Sequence, residues 1–331
     1  MTRPSFGVLL QGFFSEHMIT HRRASVHTVA AYRDTFRLLL KFLSATQGKI
    51  PSDIRVTDLD EPAILSFLDH LETGRQNSIR SRNQRLAAIR SFFRYVALRD
   101  PESVSITARI RAIPLKRADH PLIGYLTRQE MEAVLDAQDR TAWIGRRNYA
   151  LLLTFYNTGA RLSELTKLKR SAAFFGATAS LQLHGKGRKD RQVPLWPNTA
   201  RVLSSWFAEL ASFPNDIAFP NARKGVLSSD GVAYILNTAV QRATPRCPSL
   251  ATKRITPHVL RHTTAMHLLQ SGVDVSVIAL WLGHAKLETT HMYVEADLDM
   301  KERALEKLAP TKTKTTRFRA DDTLLAFLSA L

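Results

Sequence analysis

Apolar residues recur at helical spacing through the first third of the chain. Val29, Tyr32, Phe36, Leu39 and Leu43 step by threes and fours, which predicts one buried helical face. Asp60 and Pro62 mark a second helix start: a carboxylate can accept from the free N–H groups of a first turn, and proline needs no N–H there. Ile64, Phe67, Leu68 and Leu71 form its stripe, and Gly74 is expected to end it. A third helix is predicted from Ser78 to Leu98, with Ile79, Leu86, Ile89, Phe93 and Val96 on its seam. The period then fades. Between Asp100 and Tyr125, Pro101, Pro114 and Pro121 interrupt a run holding Arg109, Arg111, Lys116 and Arg117, so an extended basic linker is expected.

Thr127 and Glu130 have the spacing of a capping box, the start of a new helix and a second domain. Tyr149 to Tyr156 is an apolar run read as buried helix, broken at Thr158-Gly159. Arg161 opens a short helix, with Glu164 one turn on and sharing its face. The period changes to two at Ala179–His184 and Arg191–Leu195, read as strands joined by Gly185-Lys186-Gly187-Arg188-Lys189-Asp190. Thr256 and Pro257 begin another helix that carries His258 and Arg261 one turn apart near its start, the end whose dipole favours anions. Asp274 caps a helix from Val275 to Leu282, ended by Gly283 and followed by His284. The expected fold class is mainly α with a small β-sheet: a helical first domain, then an α+β domain.

Composition adds a partner. The 331 residues are enough for about two domains. Lys and Arg number 47 against 29 acids, a formal charge of +18, which calls for a polyanion, nucleic acid first. A charged stripe on a helix is ordinarily a solvated face. Here Arg80, Arg82, Arg85, Arg90 and Arg94 are balanced by no acid between Arg75 and Arg99, so they are expected to contact DNA phosphates. Lys189, in the glycine-rich turn, is expected to do the same. That turn does not fit a nucleotide-binding P-loop, which needs G-x-x-x-x-G-K-[ST] running into a helix. Cys247 is the single cysteine, which suits a reducing compartment. No apolar run approaches the roughly 18 residues of a membrane span. His258, His262 and His267 cluster in sequence, but without the spacing or carboxylate of a zinc site, so no metal is expected.

Taken together, Thr-Gly-Ala-Arg161, Gly-Lys186-Gly, His258-Val-Leu-Arg261-His, Leu-Gly-His284 and Thr-Thr-His-Met-Tyr293 resemble, in order, the motifs of the tyrosine recombinases, or phage integrase family, and most of all its Xer-like bacterial branch. The catalytic likeness runs from about Leu126 to Leu308, and the helical first domain resembles the family's SAM-like core-binding domain more weakly. The resemblance implies a site-specific recombinase of the integrase or transposase type, acting through a 3′-phosphotyrosyl link on Tyr293 and a Holliday junction. Arg161 and Arg261 would clamp the phosphate, Lys186 would protonate the departing 5′-oxygen, and His258 would be the acid–base partner. His284 would hydrogen-bond the phosphate or help orient Tyr293, and Glu164 would brace the arginines. A phenol near pKa ~10 needs such a neighbourhood to act at neutral pH. These cations do the electrostatic work, so no cofactor is expected.

By the same resemblance, double-stranded DNA is bound by a tetramer of this chain or of related protomers, in a cytoplasm and with the nucleoid, and a mobile element is the preferred setting. The expected divisions are a DNA-binding domain over 1–103, a linker over 104–125, a catalytic domain over 126–310 and a tail over 311–331 that docks on a neighbouring protomer. Two other readings stand beside this one: a type IB topoisomerase-like relaxing enzyme, and a DNA-binding protein without activity.

Overall fold

A computed structural model describes residues 4–118, 124–185, 190–284, 289–290 and 293. The chain divides into two compact units, one up to His120 and one from Pro121.

The first unit is helical. α1 (Phe6–Gly12) starts on Ser5, whose hydroxyl accepts from the Val8 N–H, and continues as a wider π-helical stretch over Phe13–His21. α2 (Val26–Gln47) starts on Ser25 and stops at Gly48, whose φ of +68° would strain a side chain. α3 (Glu61–Thr73) begins on Asp60, which accepts from the Ala63 N–H at 3.0 Å. α4 (Ile79–Ala97) begins on Ser78 in the same way. The predicted stripes turn inward together, so Phe36, Leu39, Ile64, Phe67, Leu86, Ile89 and Phe93 share one core. Phe13, Phe36 and Phe92 meet edge to face with centroids 5.1 to 6.3 Å apart, as ring quadrupoles favour.

The stretch after Asp100 corrects the linker expectation. α5 (Val104–Ala112) is helical and buries Ile110, with Ile113 just beyond it, in this core. Thr107 donates to Phe93 O at 3.4 Å. Ile106, Ile110 and Ile113 make one narrow stripe, too short to hold a helix alone, and packing against α4 supplies what local propensity lacks. Further on, Arg82 donates to Pro114 O and Asn83 to Lys116 O, so the chain stays strapped to α4.

The second unit opens with α6 (Arg128–Asp136). The Thr127 hydroxyl accepts from the Glu130 N–H, and the Glu130 carboxylate accepts from the Thr127 N–H, which is the predicted reciprocal cap. α7 (Trp143–Thr158) carries the 149–156 run into the core and ends at Gly159, and α8 (Leu162–Thr166) follows at once. Strands β1 (Ala173–Phe174), β2 (Ser180–His184) and β3 (Asp190–Pro194) pair antiparallel in chain order, with Leu181 opposite Val193 and His184 opposite Asp190. Buried Leu181 and Leu183 flank a more exposed Gln182, which seats the sheet on the core. α9 (Pro197–Glu209) and α10 (Ser229–Ala243) enclose that core, where Trp206 donates to Ala218 O at 2.8 Å. α11 (Pro257–Gln270) contributes Leu260 to it. The other apolar side of α11 joins α12 (Val275–Leu282) in a smaller cluster of Met266, Leu269, Ile278, Leu282 and Tyr293. The observed class is the expected one, mainly helical with a three-stranded sheet. No described helix is long and apolar enough to cross a membrane.

Candidate active site

Two helix ends converge on the predicted residues. α7 closes on Gly159 at φ +55° and α12 closes on Gly283 at φ +67°. The last carbonyls of a helix lack donors of their own. Arg261 fills that need twice, donating from Nη1 to Gly159 O at 2.5 Å and from Nη2 to Leu282 O at 2.7 Å. Arg161, placed between α7 and α8, donates from Nη2 to Gly283 O at 2.8 Å. Guanidiniums at helix C-termini also lie at the negative end of the dipole. The contact between the two helix ends is close: a Cβ on Gly159 would fall 2.5 Å from Leu282 Cδ2.

Glu164 anchors the arginines from behind. Its buried carboxylate accepts from Arg161 Nη1 at 2.9 Å and from the Arg161 N–H at 2.8 Å. Arg191 on β3 meets both carboxylate oxygens, at 3.0 and 2.8 Å, and donates from Nε to Trp281 O at 2.8 Å. Burial raises the Glu164 pKa, but hydrogen bonds from Arg191 and Arg161 outweigh it and hold the carboxyl below its ordinary value. Arg161 and Arg191 thus pair with one carboxylate whose charge also reaches Arg261, an excess of two positive charges among these four residues. Burial, and then the Arg161 charge, lower Arg261 to about 10, so it remains a cation at neutral pH.

The histidines and the phenol lie within electrostatic reach of Arg261. Tyr293 is buried, and its Oη lies 2.9 Å from His262 Nδ1. Burial pushes the phenol up to about 12, with Arg261 pulling the other way. The His284 ring lies nearly parallel to Tyr293, at 13° with centroids 6.3 Å apart, and its Nδ1 is 2.7 Å from Thr290 Oγ1. Burial first, then neighbouring positive charge, lowers both His262 and His284 to about 4. His258 is exposed overall, and its ring meets His262 at 4.6 Å between centroids. Desolvation of its ring, then Arg261 and Arg161, lower it too. The resting site therefore holds neutral imidazoles, a protonated phenol and charged guanidiniums.

Of the predicted residues, the structure gathers Arg161, Glu164, His258, Arg261, His284 and Tyr293 around the two helix ends. Lys186 and Lys189 lie outside the described residues, beyond strand ends where His184 Nδ1 and Asp190 Oδ1 are 2.9 Å apart. Sequence reasoning missed Arg191 and Thr290, and it weighed His262 only as a metal ligand. The β3 position of Arg191, opposite Leu183 in a strand whose Val193 is buried, was the available signal. On α4, Arg80 and Arg94 are exposed, while Arg85 and Arg90 are half-buried. Arg82 corrects the phosphate-contact expectation. It is 3% exposed, with Nε 3.4 Å from Glu72 and Nη1 bonded to Asn83 and Pro114 O, because α4 needs an internal partner for the strapped segment. Arg90 similarly donates to Ile113 O.

The phage integrase family matches residues 124–299, and the phage integrase N-terminal SAM-like domain matches residues 12–100. A Sinorhizobium fredii protein, y4rC, provisionally named an integrase/recombinase, is 50% identical over 327 residues, 99% of this chain and 98% of its own. Tyrosine recombinase XerC of Anoxybacillus flavithermus is 30% identical over 293 residues, 86% of this chain and 92% of its own. The fold is shared with XerH site-specific recombinase bound to a palindromic difH substrate, at TM-score 0.67 and 24% identity over 86% of this chain and 81% of that one. It is also shared with the Tn1549 transposon integrase in complex with transposon right-end DNA, at TM-score 0.70 and 15% identity over 91% of this chain and 99% of that one.

Proposed function

We propose that Tyr293 is the nucleophile of this chain, which belongs to the phage integrase family as a tyrosine recombinase of the Xer-like branch. The enzyme breaks and rejoins DNA strands. The phenol oxygen bonds to the scissile phosphorus as the bond from phosphorus to the 5′-oxygen breaks, leaving a 3′-phosphotyrosyl link and a 5′-hydroxyl. The phenol proton passes to a histidine, and the 5′-oxygen takes a proton from Lys186. Arg161 and Arg261 hold the non-bridging oxygens, and His284 hydrogen-bonds the phosphate beside them. Glu164 keeps the arginines in place.

The observation that carries this reading is the charge excess beside Tyr293. A phosphodiester brings one negative charge, and its pentacoordinate transition state carries two. Arg161, Arg191 and Arg261, set against Glu164 among the described residues, offer a matching field held by fixed carbonyls, so little reorganisation is needed as charge develops.

The covalent link conserves the phosphodiester bond energy, so strand exchange needs no nucleotide. Four protomers hold two recombination sites and exchange one strand pair at a time through a Holliday junction. The 311–331 tail, outside the described residues, docks on the neighbouring protomer. Exposed Arg80 and Arg94, with Lys189, track the backbone of the bound duplex. The enzyme works in the cytoplasm, with the nucleoid, and serves a mobile element. Neither the topoisomerase nor the binding-only reading is favoured by these relatives.

The test uses a DNA site nicked just beyond the scissile phosphate, so that the cut fragment diffuses away. Wild-type protein should accumulate as a covalent adduct on denaturing gels. Absence of any adduct on a site the protein binds would overturn the reading.

A further inference from the structure

We infer that His262, rather than His258 or His284, takes the phenol proton when Tyr293 attacks, an inference that rests on Tyr293 being the nucleophile. His262 Nδ1 is the hydrogen-bond partner of the phenol oxygen among the described residues, at 2.9 Å. The other imidazoles are otherwise placed. His284 Nδ1 is engaged with Thr290, and its ring lies alongside the phenol ring. The ring contact recorded for exposed His258 is with His262.

The direction of the hydrogen bond follows from burial. Tyr293 is 1% exposed. A buried hydroxyl that only accepted would leave its own O–H unpaired, at a cost of about 1–3 kcal/mol. Donation from Oη to Nδ1 avoids that cost and places the proton of His262 on Nε2. The imidazole must then be neutral, with its lone pair on the phenol. Burial, with His258 and Arg261 nearby, keeps it neutral at physiological pH. The groups facing this pair are His258, Arg261 and His284, with Arg161, Arg191 and Glu164 behind Arg261.

The contact is made at the reaction centre. Arg261, the residue before His262 on α11, acts electrostatically on the phenol. A phosphate held by Arg261 therefore arrives beside Oη while His262 is already in hydrogen-bond reach. Its negative charge also offsets the nearby cations that disfavour a charged imidazole. In the step, the Oη–P bond forms, the P–O5′ bond breaks, the phenol proton moves to Nδ1, and the 5′-oxygen receives its proton from Lys186. Religation reverses each transfer, and His262 returns the proton to the departing phenolate.

The experiment compares full-length wild type, His262→Ala, His262→Gln and Lys186→Ala on two nicked sites, one with the normal 5′-oxygen and one with sulfur in its place. A thiolate leaves without needing a proton. Both His262 variants should form adduct ~10²–10⁴-fold more slowly on either substrate, while binding the site as wild type does. Lys186→Ala should recover on the sulfur substrate. His262→Gln keeps a hydrogen-bond acceptor, so it decides the matter if the alanine variant binds poorly. Wild-type rates in the His262 variants, or their recovery on sulfur, would overturn the assignment while leaving the recombinase reading intact. A wild-type protein that binds and forms no adduct would remove both.

Discussion

On α4, Arg82 is 3% exposed and engages Pro114 O, Asn83 and Glu72; in the second unit Arg261 is 4% exposed and engages Gly159 O and Leu282 O. Both guanidiniums are buried, and both hold backbone carbonyls. Burial therefore does not separate an arginine that only ties the chain together from one proposed to hold a phosphate. What separates them is the local balance of charge. Glu72 Oε1 answers Arg82 and Lys116 together, and Asp69 lies 4.0 Å from Lys116 as well. Beside Arg261, Glu164 is the one carboxylate paired with Arg161 and Arg191 among the described residues, and the imidazoles nearby are held neutral. On the function proposed above, the positive charge left over at the helix ends is what receives a phosphate, whereas Arg82, paired with Glu72, is a structural clamp.

Removing the unanswered charge should have the largest effect. Arg261→Ala should slow adduct formation by ~10³-fold, the scale of losing a preorganised charge donor, while site binding persists. Rate constants from nicked substrates measure it, and an unchanged rate would break the comparison.

Glu164→Gln tests the answered side of the same cluster. It leaves the partly buried Arg191 without its counter-charge, so the second unit should lose ~3 kcal/mol of stability, read from thermal or denaturant melts. Loss of activity without loss of stability would mean that Glu164 acts on substrate directly.

Acid should act next. The unfolded chain takes up protons on His262 and His284 near 6.5, whereas the folded chain does so near 4. Stability from these residues is thus full above pH 6.5 and is lost as pH falls towards 4. Glu164, held below its ordinary value, adds a further loss at lower pH. Melting temperatures across that range should fall, and a substitution of His284 should flatten the slope.

The smallest effect falls on α4. Arg94→Ala should weaken DNA binding modestly and reduce the salt slope by about 1, as for one phosphate contact. Arg82→Ala should instead lower the melting temperature of the first unit at similar salt slope. The reverse pattern would show that Arg82 is released to meet DNA.

Much of this architecture was legible in the sequence because it is local. The caps at Asp60, Thr127 and Thr256 act within four residues, and the β2–β3 hairpin announces itself by period and glycine. The set Arg161, His258, Arg261, His284, Tyr293 was legible through family motifs. What was not legible acts through space. Arg261 meets the Gly159 carbonyl across 102 positions, and Arg191 meets Glu164 across 27. α5 was hidden because its stripe of three isoleucines becomes meaningful only against α4.

The central claim is that this charged cluster serves one phenol. Adduct trapped on a nicked site can be digested with protease and the DNA-linked peptide sequenced. A single attachment is expected, on Tyr293, through a phosphate at the DNA 3′ end, and none with Tyr293→Phe. Attachment at another residue, or through a 5′ phosphate, would contradict it.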